Sequence, residues 1–169
     1  DYANSKGVIG IYDASTSYRR IGEIDSQGIG PHEIGLLSDG QTLVVANGGI
    51  ETHPNLGRAK LTIPTMRPNL AYIDSQRGKL IGRYEPPPEW HQLSIRHFDI
   101  NPQDQVCIAL QYEGARHHHP PLVALHQGQD QLQLLHAPSV VQKKMKNYCG
   151  SARFNTLGNR FAISSPRGG

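Results

Sequence analysis

The residues most able to do chemistry are histidines set beside other polar groups. The chain has nine histidines among 169 residues. Four of them, His32, His53, His91 and His97, lie close to Glu33, Glu51, Gln92 and Arg96. Imidazole with carboxylate suits zinc, iron or copper, so a transition metal is one cofactor these residues suggest. No tight pair such as His-Glu-x-x-His accompanies them, so hydrogen bonding to loop carbonyls and direct contact with an organic ligand or protein stand beside the metal reading. A second set is cationic: Arg58, Lys60, Arg67, Arg96 and Arg167. Arginine forks grip carboxylates, which points to a small anionic ligand. Pairing of Arg67 with Glu51 inside one loop is the structural alternative. No Gly-x-Ser-x-Gly elbow and no cysteine with a neighbouring histidine is present, so no catalytic residue is assigned. His117-His118-His119 precedes Pro120-Pro121 and reads as an exposed loop.

Something must bring these scattered side chains together. Gly and Pro account for 18 and 12 residues, more than an average domain holds, which favours many turns and a β-rich chain. Short apolar runs with β-type residues alternate with turn signals, and no helical stripe spans them. Glu33–Leu37 and Thr42–Ala46 flank Ser38-Asp39-Gly40-Gln41, a strong hairpin signal. Ile95–Ile100 with Val106–Leu110, and Ser151–Phe154 with Arg160–Ser164, repeat that grammar. Between these copies lie pairs of a second kind: Leu70–Asp74 with Leu80–Tyr84, and Leu122–His126 with Leu132–His136. Val8–Asp13 and Arg20–Ile24 open the chain, and Pro138–Lys146 is long enough for one helical turn.

Aligned on their turns, Gly40, Asp104 and Gly158 become equivalent, at offsets of 64 and 54 residues. His32, Arg96 and Gly150 then fall together before the first strand. Asn47, Gln111 and Ser165 fall together after the second. Four antiparallel strands per repeat is the unit of a β-propeller blade. The expectation is an all-β propeller fragment of two and a half to three four-stranded blades, one partial domain over 1–169 with units 1–47, 48–111 and 112–169. A β-sandwich uses the same hairpins but has no need of equivalent polar positions. In a propeller the loops around the innermost strands crowd one face. His32, Glu33, Asn47, Glu51, His53, His91, Gln92, Arg96, His97, Gln111, Ser165 and Arg167 are therefore expected to converge there. Arg58, Lys60 and Arg67 belong to the long loop 47–69, placed to fold over the channel. Tyr12, Tyr72 and Tyr84 read as blade packing, Trp90 as a cap on a blade edge, and Gly48-Gly49 as a backbone requirement.

Totals exclude some classes. A net charge of +3, from 17 basic and 14 acidic residues, is too small and scattered for a nucleic-acid footprint. No apolar run reaches the roughly 18 residues of a membrane-spanning helix. Cys107 and Cys149 form no metal spacing and read as two buried thiols, with one disulfide as the alternative.

GPHEIGLLSDGQTLVVANGGIETHPNLGRAKL, followed by MRPNLAYID and HQLSIRH, resembles the bacterial family called domain of unknown function 1513. The closing Ser165-Pro166-Arg167-Gly168-Gly169 fits it as well. The resemblance implies an exported, periplasmic seven-bladed propeller, more distantly similar to YVTN-type repeats and the quinoprotein amine dehydrogenase β-chain class. It further implies neighbours linked with iron acquisition, hence a ligand- or protein-binding scaffold with an envelope partner. A metal-dependent oxidoreductase or lactonase-like hydrolase is the alternative.

Overall fold

The computed structural model describes residues 6–52, 55 and 59–168. Two four-stranded antiparallel sheets lie between two strand pairs. The first pair is β1 (Val8–Asp13) with β2 (Arg19–Asp25). The first sheet runs β3 (Pro31–Leu36), β4 (Thr42–Asn47), β5 (Asn69–Asp74), β6 (Leu80–Tyr84). The second runs β7 (Leu93–Ile100), β8 (Val106–Tyr112), β9 (Val123–His126), β10 (Gln133–Leu135). A short helix, α1 (Ser139–Lys144), leads to the last pair, β11 (Ser151–Phe154) with β12 (Phe161–Ser164). Each strand pairs with its sequence neighbour, and β3, β7 and β11 each begin a sheet. Sheets stack face to face through β3 and β4 on β7, and β7 and β8 on β11. This is the blade-by-blade packing of a propeller.

Stacking explains the continuous apolar runs. In β4 and β5, Val44, Ala46, Leu70 and Tyr72 face the second sheet and join the main core. Val45, Ala71 and Ile73 face the other way, against Ile24, Ile9 and Ile11 of the first pair. Successive side chains point to opposite faces, and both faces are covered, so neither strand shows polar alternation. Tyr72 and Tyr84 pack edge to face as expected. Tyr12 does not: it is 57% exposed, because its face of β1 has no sheet stacked on it among the described residues.

The three turns are equivalent in detail. Gly40, Asp104 and Gly158 have φ of 67°, 61° and 70°. Each donates its backbone N–H to the carbonyl three residues earlier, at 3.0, 2.9 and 2.9 Å. Glycine enters this left-handed region without a Cβ clash, and aspartate is among the few residues that tolerate it. The second turn returns one residue sooner. His97 therefore pairs with Ala109, whereas Glu33 pairs with Ala46 and Ser151 with Ser164. The position matching Asn47 and Ser165 is thus Leu110, not Gln111.

Candidate functional site

β3 and β7 each contain one bulge near their entry end, at His32 and at Arg96. A bulged residue has no partner across the ladder, and its side chain is re-aimed. The two re-aimed side chains meet: Arg96 Nη1 lies 2.7 Å from His32 Nε2. A guanidinium only donates, so His32 Nε2 accepts and its proton sits on Nδ1. Desolvation, reinforced by Arg96 and His97, holds the His32 pKa down to about 4, which keeps this imidazole neutral. Arg96 Nη2 also donates to Glu113 Oε1 at 3.3 Å, and Lys60 Nζ reaches Glu113 Oε2 at 2.5 Å. The Glu113 side chain is only 8% exposed, and Arg96 18%. Arg96 Nε is buried with no hydrogen-bond partner. Lys60, Glu113, Arg96 and His32 therefore form a chain in which two fixed cations share one carboxylate.

Glu33 faces the same seam but does different work. Its Oε2 accepts from the Phe98 backbone N–H at 2.8 Å and lies 3.2 Å from His97 Nδ1. Phe98 belongs to an innermost strand, whose outer edge has no ladder partner, so the carboxylate satisfies an otherwise orphaned donor. Although His32 and Glu33 are adjacent, both engage β7. The His32 and His97 rings are 6.3 Å apart.

The other expected residues go elsewhere. His91 sits with Nδ1 3.2 Å from Pro88 O and Nε2 3.3 Å from Pro64 O, and Gln92 Nε2 donates to Ile63 O. Both tie the long loop to the β6–β7 connection. Asn47 Nδ2 donates to Ser26 O and to Asn69 Oδ1, and Ser165 Oγ to Met145 O and Tyr148 O. Each fastens the end of an inner hairpin to the segment entering it. Gln111 is buried and forms a β-bridge with Tyr148, whose ring carries the Arg167 guanidinium at 4.7 Å. Arg67 pairs with Glu85 at 2.9 Å rather than with Glu51, which is half-buried and takes Thr62 Oγ1 on its backbone N–H. His53 and Arg58 lie outside the described residues. Gly49 has φ of 74°, and a Cβ there would meet Pro68 N at 2.4 Å, a backbone requirement rather than a phosphate cradle. Trp90 packs edge-on against Tyr112 and His118.

The metal reading loses its geometry at His32, whose lone pair is already turned on a guanidinium. Among the described residues no three His, Cys, Asp or Glu side chains are arranged to hold a metal ion. Cys107 and Cys149 are buried free thiols, each pushed up to about 11 by desolvation. Glu113 and Ser94, whose Oγ donates to Gly48 O at 2.8 Å, are the site residues that sequence reasoning missed. Glu113 had a signal: it lies in the loop leaving an inner hairpin, the loop class that drew attention to Glu51.

Stacked four-stranded sheets with polar side chains meeting where innermost strands adjoin define a β-propeller segment. The chain belongs to the family described as Protein of unknown function (DUF1513), whose model matches residues 1–169. No curated protein matches it. Among solved structures, it is similar in fold to hydrazine synthase of Kuenenia stuttgartiensis. The TM-score is 0.64 at 14% identity, over 94% of this chain and 43% of that one. The chain thus spans less than half the length of that relative, and the likeness is one of fold. No helix among the described residues is long and apolar enough to cross a membrane.

Proposed function

We infer that this propeller is a ligand-binding scaffold whose site lies at the channel end of the β3–β7 seam and takes a small carboxylate-bearing anion. The observation that carries this is the convergence of donors. Arg96 and Lys60 are cations, and neutral His32 turns its Nε2 acceptor inward, leaving Nδ1–H as its free polar atom. With Glu113 shared between two cations, the chain of four carries net positive charge, and hydrogen bonds to ionised groups are the stronger kind. His32 cannot serve as a general base while Arg96 occupies its lone pair. The exported, periplasmic setting and the link to iron acquisition belong to this reading as proposals, with a carboxylate chelate of iron as one anion of the right chemistry.

The test is calorimetric titration of the full-length protein with citrate and with ferric citrate. Saturable binding weakened about tenfold or more by Arg96→Met is expected. Equal affinity in wild type and Arg96→Met defeats the reading. Binding of ferric citrate but not citrate assigns the chelate as ligand.

A further inference from the structure

A concave site lies between the end of the long loop and the β6–β7 connection, and none of its lining residues belongs to the Arg96 cluster. It is a cleft of about 320 Å³, at the lower bound of the roughly 300–1,000 Å³ typical of small-molecule sites. Met66, Pro68 and Pro86 form a buried apolar floor, and Arg67, Glu85 and His91 stand at the rim. The floor is rigid. Prolines have fixed φ, Pro68 lies directly on the Gly49 backbone, and His91 touches carbonyls on both sides, Pro64 and Pro88.

The rim has an uneven charge. Arg67 uses a single nitrogen, Nη2, for both oxygens of Glu85, at 2.9 and 3.2 Å. Its Nε and Nη1 make no hydrogen bond among the described residues. Arg83 Nη2 lies 3.7 Å from the same carboxylate. Two guanidiniums around one carboxylate leave a net positive rim. Nη1 keeps both of its hydrogens for a second carboxylate, a charge-assisted bond.

We propose that this cleft binds monocarboxylates with a short apolar body, the carboxylate on Nη1 of Arg67 and the body on Met66, Pro68 and Pro86. The site is separate from the channel-end cluster and does not depend on it. Glu85 is a competitor here, because it occupies Nη2, the nitrogen that both bidentate edges of the guanidinium need.

The experiment is a titration of the full-length protein with hexanoate, read from the 13C-labelled methyl group of Met66. Saturating displacement of that signal is expected. Hexanol, which has the body without the charge, gives no saturation. Arg67→Gln weakens hexanoate about tenfold or more, whereas Glu85→Gln strengthens it by freeing the guanidinium. Both residues are at the surface rim, and an unchanged methyl spectrum of the unliganded variants confirms their fold. Arg96→Met leaves hexanoate binding intact. A Met66 signal that does not move, or affinity indifferent to Arg67→Gln, overturns the proposal. Loss of hexanoate binding in Arg96→Met also overturns it and moves the ligand to the channel end.

Discussion

His32 and Arg96 occupy the same bulge in successive repeats, and their side chains meet at 2.7 Å across 64 residues of sequence. A repeat that stacks on itself makes equivalent positions neighbours, so the seam between blades is a column of such contacts. Glu33 reaches Phe98, Asp99 reaches Phe154, and Ser38 reaches Asp104 in the same way. At the aligned position the third copy has Gly150, just before β11, so the imidazole–guanidinium contact is confined to the first seam of the described residues.

Desolvation of His32, reinforced by that contact, makes stability depend on acid. In the unfolded chain His32 titrates near 6.5, and in the fold near 4. Between those values the unfolded state binds the extra proton, so folded stability is lost as pH falls from about 6.5 towards 4 and is unaffected above that window. His126, also lowered by burial, acts with the same sign. The thermal midpoint of the full-length protein is expected to fall through this range, and His32→Gln to flatten the fall. A His32 ring resonance titrating near 6.5 in NMR would sink the explanation.

The carboxylates that join innermost strands should be stronger than their exposure suggests. Glu33→Ala leaves the Phe98 N–H, on a residue 6% exposed, without a partner. An orphaned buried donor costs about 1–3 kcal/mol. Glu33→Gln keeps an acceptor and should cost clearly less. Asp99→Ala repeats the experiment one seam further on, at Phe154 N. Urea denaturation separates the three variants, and equal midpoints for Glu33→Gln and Glu33→Ala argue that the N–H finds water instead.

The architecture was legible because turns and apolar runs are local signals. Gly40, Asp104 and Gly158 could be aligned from sequence, and all three adopt the left-handed conformation the alignment requires. Register was less legible. The second hairpin returns one residue early, a difference set by pairing across the strands, and it misplaced Gln111 against Asn47. The site was half legible. His32 and Arg96 shared a column, so their contact follows from the fold. Glu113 joins them from a loop whose path depends on packing, and no spacing rule links it to Lys60 or Arg96. Asn47, Ser165 and His91 drew attention as polar residues near the channel end, but each meets backbone carbonyls, a need of buried loops that composition cannot separate from ligand binding.

Asp104 offers a test of the turn itself. Its carboxylate accepts from Ser38 N at 2.8 Å and Ser38 Oγ at 2.6 Å, while its backbone sits where an L-residue is strained. Asp104→Gly relieves the strain and loses the two bonds, so the effects oppose and the net change should be small. Asp104→Ala loses the bonds and keeps the strain, and should cost about 1–2 kcal/mol. Asp104→Asn retains an acceptor and a tolerated conformation. Chemical denaturation should rank alanine lowest, and alanine equal to glycine would mean that the left-handed position carries no strain.

The sharpest test of blade-to-blade coupling lies away from the channel, at Tyr72 and His126. His126 Nε2 donates to Gln129 O at 2.9 Å, so Nδ1 holds a lone pair and must accept the Tyr72 hydroxyl proton at 2.6 Å. Burial moves both groups in the direction this arrangement needs, Tyr72 up and His126 down. Tyr84 packs its ring against His126 at 4.1 Å, leaving little room for water to replace the hydroxyl. Tyr72→Phe therefore leaves a buried acceptor unpaired, at a cost of about 1–3 kcal/mol, and His126→Leu leaves the hydroxyl unpaired at a similar cost. The double variant removes both polar groups together and should cost less than the sum of the two, with a coupling of about 0.5–3 kcal/mol in a denaturation cycle. Strict additivity would show that the two blades are joined by apolar packing alone, with the hydrogen bond contributing nothing to the seam.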